Sequence, residues 1–216
     1  MNYSKKEIIL SVALCLLPIL LGLYWWEELP EMVATHFNFK NEPNGWSSKT
    51  FAVFCLPCVM AALDAVCIIG LSLDPKSKRQ AAAMQRLMLW FIPALSCVLM
   101  PTMLLMALGW EIDLGFYITL FMGILFIVIG NYLPKSRQNY TMGIKLPWTL
   151  NDEDNWNYTH RIGGFVWVIG GIVIVACALL GVPVVMFPVV IVMVAVPTVA
   201  SFRYYRRKKN SEEEEK

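Results

Sequence analysis

Residues 163–202 read GGFVWVIGGIVIVACALLGVPVVMFPVVIVMVAVPTVASF, forty positions without a charged side chain. About 20 apolar residues suffice for a helix to cross a bilayer core. The stretch is therefore two spans, 163–180 and 182–202, joined by the tight link Gly181-Val182-Pro183. In hydrocarbon the backbone must satisfy its own hydrogen bonds, so both spans are expected to be helical and to form a hairpin. Four more apolar runs precede them, at 8–26, 51–73, 87–108 and 114–133. The expected fold is an all-α, polytopic membrane bundle of six transmembrane helices. A composition of 57% hydrophobic and 16% charged residues fits this class and not an ordinary soluble domain. Pro18, Pro57, Pro93, Pro101, Pro188 and Pro197 fall inside the runs, where membrane helices tolerate them. The 8–26 run is longer than a signal-peptide core and ends in Tyr24, Trp25 and Trp26, so it reads as a retained span.

The basic residues orient the bundle. Of the 18 Lys and Arg, only Lys40 and Lys49 flank one set of span ends. The other set holds Lys5, Lys6, Lys76, Lys78, Arg79, Arg86, Lys135, Arg137, Lys145 and Arg161, and the Arg203–Lys216 segment. Cytoplasmic flanks are rich in Lys and Arg, so both termini are expected inside. The alternation also argues for the span count, because a missed span would scramble it. On this reading residues 1–86 form a two-helix membrane unit with an external loop at 27–50. Residues 87–205 form a four-helix unit with a cytoplasmic loop at 134–162, and 206–216 is a charged cytoplasmic tail. The basic residues form no stripe of the kind that binds nucleic acid.

Six cysteines, Cys15, Cys55, Cys58, Cys67, Cys97 and Cys177, lie inside the spans, which argues against a disulfide framework. The Cys55-x-x-Cys58 spacing has no second ligand pair at its depth and reads as small apolar residues. His36 and His160 belong to opposite faces of the membrane and cannot share a metal. No H-E-x-x-H, phosphate-binding loop or nucleophile elbow is present. No enzyme, metal or cofactor is expected.

Asp64 is the one acid well inside a span. It either lines a polar cavity or pairs with a cation, as intramembrane carboxylates often do, or it lies near the cytoplasmic end and hydrogen-bonds a neighbouring helix. The external loop contains Thr35-His36-Phe37-Asn38 and Pro43-Asn44-Gly45-Trp46. Asn44-Gly45 is a turn signal. Trp25, Trp26, Phe37, Phe39 and Trp46 suit the membrane interface. His36 is a pH-sensitive contact, a hydrogen-bonded organiser of the loop, or a residue with no special role. In the cytoplasmic loop, Thr149 or Asn151 could cap a short helix with the acids Asp152–Asp154 in its first turn. Trp156 and His160, four apart, would share a face and pack back onto the membrane surface. Gly163-Gly164 and Gly170-Gly171 permit close helix approach, within one subunit or between copies.

The cytoplasmic segment carries Asn131-Tyr132-Leu133-Pro134-Lys135, Asn139-Tyr140, Gly143-Ile144-Lys145, Pro147-Trp148-Thr149-Leu150, Trp156 and Thr159-His160-Arg161. It closely resembles the signature of the SdpI family of bacterial membrane proteins. Leu29-Pro30, Thr35-His36-Phe37, Gly45 and Ser48-Lys49 resemble the motif of a small membrane domain that often precedes that signature. The two resemblances cover nearly the whole chain. One departure is Lys145-Leu146, where the family pattern has Arg-Thr before Pro-Trp; the charge is kept but the guanidinium fork and the hydroxyl are lost.

The resemblance implies an immunity protein of the bacterial plasma membrane that protects against a toxic, antimicrobial peptide. The expected peptide contacts are His36, Phe37 and Trp46 with Glu111 and Asp113 of the second external turn. The resemblance also implies a signalling role, in which the cytoplasmic signature loop holds a soluble transcriptional repressor. Basic residues there could instead bind anionic lipid. A small-solute or ion transporter is a weaker alternative, since no matched broken helices appear in two halves.

Overall fold

The computed structural model describes residues 3–38, 41–76 and 82–214. Phe39, Lys40, Lys78, Arg79, Glu215 and Lys216 lie outside the described residues. The elements are α1 (Lys5–Leu16), α2 (Pro18–Tyr24), β1 (Met32–Phe37), β2 (Pro43–Ser48), α3 (Leu56–Leu73), α4 (Ala82–Ala107), α5 (Leu114–Tyr132), α6 (Pro147–Asn151), α7 (Glu153–Leu179) and α8 (Met186–Glu214). Six helices among the described residues are long and apolar enough to cross a membrane: Lys5–Tyr24, Phe51–Leu73, Ala82–Ala107, Leu114–Lys135, Glu153–Leu179 and Pro183–Ser211. The chain forms two compact units, Met1–Leu73 with Gln85–Gly115, and Asp74–Met84 with Phe116–Lys216.

In the first unit, Ser4 caps α1 and Glu7 reaches back to the Ser4 backbone, so two otherwise orphaned donors are satisfied. Pro18 is the first residue of α2, where its missing N–H is no loss. The loop at 27–50 is not irregular. It folds into an antiparallel hairpin, the one sheet among the described residues, pairing Met32 with Ser48 and Ala34 with Trp46. The expected reversal at Asn44-Gly45 is displaced, because both residues belong to β2. The strands are joined instead through Asn38 and Glu42. Asn38 donates its N–H to the Glu42 carbonyl and its side-chain oxygen receives the Glu42 N–H, at 2.9 and 3.0 Å, and Asn41 takes φ +61°. Gly45 faces His36, where an added Cβ would lie 3.0 Å from the His36 Cβ. A π-helical turn, Phe51–Cys55, leads into α3 just before Pro57, whose missing N–H breaks the ordinary ladder. Leu29 and Val33 of the hairpin region pack with Ala52, Val53, Met100, Met103 and Leu104 in one apolar cluster.

In the second unit, α5 and α7 cross with their backbones in contact. A Cβ on Gly164 would lie 2.8 Å from the Gly130 carbonyl oxygen, and one on Gly171 would lie 2.7 Å from that of Gly123. The glycines expected to permit close approach therefore do so here within one chain. Gly170 instead faces Met193 of α8. The α7–α8 hairpin turns at Gly181, φ +71°, as expected from its sequence. Helix α7 begins at Glu153, well before the apolar run at 163, because Asp152 caps it by accepting the Asp154 and Asn155 N–H groups. All six cysteines are free.

Replacing Gly164 with Leu should force α5 and α7 apart at a backbone contact. The expected loss is about 3 kcal/mol, the upper end for overpacking, read as a lowered Tm in detergent. Leu at the exposed Ile172, on the same helix, should leave the Tm unchanged.

Candidate functional site

The signature in the loop at 134–162 condenses around two side chains. Trp156 and His160 are fully buried and stack with ring centroids 4.0 Å apart. Helical spacing puts them on one face. They do not pack on the membrane surface as expected; the 136–144 segment covers them. The Trp156 indole N–H donates to the Ser136 carbonyl at 2.8 Å. The Ile144 N–H donates to His160 Nε2 at 3.0 Å, so Nε2 must be an unprotonated acceptor. Nδ1 then carries the proton and donates it to the Trp156 carbonyl at 2.8 Å. His160 is thus neutral and fully used. Gly143, at φ +105°, passes over it, and a Cβ there would collide with Nε2.

The remaining signature residues brace the same loop. Asn139 is buried; its side-chain oxygen accepts the N–H groups of Thr141 (2.9 Å) and Met142 (2.6 Å), while its amide donates to the Arg137 carbonyl. Lys145 donates to the carbonyls of Tyr140 and Thr141. Pro147 opens α6. Thr149 and Asn151 do not cap the helix that holds Glu153 and Asp154 in its first turn, whose cap is Asp152; both lie within α6, where Thr149 accepts the Leu146 N–H at 2.9 Å. Trp148 donates its indole N–H to Ser201 Oγ at 2.9 Å and stacks on Tyr205 of α8. Ser201 in turn donates to Asn155 Oδ1, which also accepts from Thr159. Asn131 and Arg161 stand apart. Both are exposed and border a surface groove with Gly130, Pro134, Tyr158 and Phe165.

Sequence reasoning missed Asp74, Gln138, Asn155 and Ser201. Asp74 accepts the Lys76 and Tyr140 N–H groups at 2.8 and 3.0 Å, and the Thr141 hydroxyl. Burial opposes its charge, but those donors outweigh it and hold the carboxyl below its usual range. Gln138 donates to the Thr149 and Leu150 carbonyls, both at 2.9 Å, and accepts from Lys76. Partners so far apart in sequence leave no local pattern. Asp152 shows the same balance: burial against its charge, overcome by Lys208 at 2.9 Å and by the α7 N–H groups.

In the first unit the five expected contact residues come from two segments that Asn41 joins. Its amide donates to the Ile112 carbonyl at 2.9 Å, and its oxygen accepts the Leu114 N–H at 3.1 Å. The Glu111–Asp113 turn is thereby fastened to the hairpin that carries His36, Phe37 and Trp46. His36 Nδ1 is bonded to Asn44 Oδ1 at 2.5 Å across the hairpin, an organising contact. Trp46 is 55% exposed. Lys49 is the hairpin's anchor. Its ammonium donates to the Trp26 and Leu29 carbonyls, lies 4.8 Å above the Trp26 ring and pairs with Glu31 at 3.2 Å. Asp64 is buried and accepts the Ser11 hydroxyl; Ser11 also lies 3.2 Å from the Leu89 carbonyl oxygen. Of the two readings for Asp64, this is the helix-to-helix hydrogen bond.

The SdpI/YfhL protein family profile matches residues 135–201, and that of a domain of unknown function, DUF1648, matches residues 13–61. The chain is 30% identical over 210 residues to the immunity protein SdpI of Bacillus subtilis (strain 168), covering 94% of this chain and 97% of that protein. No solved structure matches it.

Asp74→Asn should expose the Lys76 and Tyr140 amides to exchange roughly tenfold faster, the loss of about 1.5 kcal/mol expected for bonds to a charged group. The lowered carboxyl keeps its stabilising effect at all pH values above its unfolded value, about 4, and loses it only as pH falls through the lower folded value. Protection of these amides in the unmodified protein, corrected for intrinsic exchange, should therefore be flat from pH 7 to 5.

Proposed function

Because this chain belongs to the SdpI/YfhL protein family, we propose that it is a multi-pass membrane immunity protein whose target is a toxic, antimicrobial peptide met at the outer face of the bacterial plasma membrane. The observation that carries this reading is the extent of the similarity: 94% of the chain aligns with 97% of the immunity protein SdpI. The protein acts by binding and performs no covalent chemistry. The distribution of Lys and Arg supports an orientation with both termini and the 134–152 loop in the cytoplasm.

On that orientation the hairpin faces outward, and His36, Phe37, Trp46, Glu111 and Asp113 form the peptide-contact surface. An exposed indole on a hairpin fastened to an acidic turn suits a cationic, amphipathic peptide. The rigid frame supplied by Lys49 and Asn41 lowers the ordering cost of binding. Lining up the cytoplasmic side, the loop around His160 presents Tyr140, 54% exposed, and Lys145 on a fixed backbone. This supports a second role, docking of a soluble transcriptional repressor, or of anionic lipid headgroups. A pull-down from membranes that recovers no soluble protein, with or without peptide, would remove the repressor. Family membership does not favour a small-solute or ion transporter.

Expression in a host sensitive to the peptide should raise the lethal concentration. Trp46→Ala combined with Glu111→Gln should lower that protection by about tenfold at unchanged membrane abundance, the size expected for losing one aromatic anchor and one charge. Killing unchanged by expression of the unmodified protein, across the candidate peptides, contradicts the immunity reading.

A further inference from the structure

We propose that the groove between α5 and α7 of the second unit is a binding site for one anionic phospholipid, with Arg161 and Asn131 on its phosphate and an acyl chain along Phe165 and Val168. The groove has a volume of about 690 Å³ and is lined by Gly130, Asn131, Pro134, Tyr158, Arg161, Ile162, Gly164, Phe165 and Val168. It exists because two helices meet at glycines: Gly130 and Gly164 carry no side chain to fill the furrow beside their crossing.

Its chemistry is graded along α7. Tyr158 and Arg161 stand where polar sequence ends, and Ile162, Phe165 and Val168 follow along the apolar run. From Arg161 to Val168 is seven residues, about 10 Å of helix rise. A cation at one end and an apolar channel beyond it match an amphiphile with an anionic head, and match neither a soluble phosphate nor a soluble protein. Phe165 is 70% exposed, so the groove's apolar wall is open to lipid.

The two polar rim residues are also the ones left over. Asn139, Gly143, Lys145, Trp148, Thr149, Trp156 and His160 are occupied inside the loop, as described above. Asn131 and Arg161 make no hydrogen bond or ion pair with any described residue. Arg161 is a fork donor that can hold two phosphate oxygens at once. A zwitterionic lipid offers the same phosphate but brings its own cation, which Arg161 disfavours. The site does not depend on which peptide the protein neutralises.

The test uses the full chain, delipidated in a neutral detergent and titrated with dioleoyl phosphatidylglycerol, with adducts counted by native mass spectrometry. One lipid should bind tightly, dioleoyl phosphatidylcholine should bind at least tenfold more weakly, and inorganic phosphate should not compete. Arg161→Gln should weaken the phosphatidylglycerol adduct about tenfold, the effect of one charge-assisted contact. Val168→Phe, which fills the apolar part of the groove, should weaken it too. Both variants should keep the lipid-free Tm, which separates loss of the site from loss of the fold. Equal binding of both lipids, competition by phosphate, an unchanged adduct in Arg161→Gln, or a protein dimer in place of the adduct would each overturn the proposal.

Discussion

A peptide group beside a bilayer has few places to go, and one imidazole decides where this chain places several of them. His160 receives the Ile144 N–H on one nitrogen and donates the other nitrogen's proton to the Trp156 carbonyl. Its ring, pressed on the Trp156 indole, is the floor over which residues 136–144 fold. Inside a span, the helix satisfies every backbone group by itself. Between α5 and α7 the chain leaves the helix, and side chains must take over that task. Asn139, Gln138, Asp74, Lys145 and Thr149 each bond backbone groups of this loop, so its shape is fixed by a polar network rather than by apolar packing.

The hairpin solves the same problem differently. Its two strands satisfy each other, and Val33 anchors one face in an apolar cluster. Lys49 then ties the end of β2 to the carbonyls that end the first span. A motif of scattered residues, Leu29, His36, Gly45, Ser48 and Lys49, is thus one object. Leu29 packs beneath, His36 and Gly45 fit across the pairing, Ser48 Oγ accepts the Phe51 N–H at 3.3 Å, and Lys49 pins the base.

The spans were legible in the sequence because hydrophobic length is a property of each run alone. The α7–α8 turn was legible for the same reason, through Gly181 and Pro183. Features that depend on distant partners were not. The start of α7 at Glu153 rather than 163 follows from the Asp152 cap and from a loop that buries Trp156 and His160, neither of which hydropathy records. The Asn44-Gly45 pair reads locally as a turn, yet the Asn38–Glu42 bonds place the reversal earlier and leave Gly45 to make room for His36. Asp74 and Ser201 carry no local signature at all. The signature residues of the loop could be named from their resemblance to a family; that most of them hold backbone in place, while Asn131 and Arg161 do not, required their contacts.

The proposed function divides the work between two faces of a membrane, with the braced hairpin outside and the knitted loop inside. The most direct measurement is labelling of intact cells with a membrane-impermeant maleimide, using a variant stripped of its native cysteines and carrying one new cysteine. Glu42→Cys in the hairpin should label in intact cells, whereas Lys145→Cys in the loop should label only after the membrane is opened. Labelling of Lys145→Cys from outside, or labelling of both sites from the same side, would contradict the arrangement on which the proposed function rests.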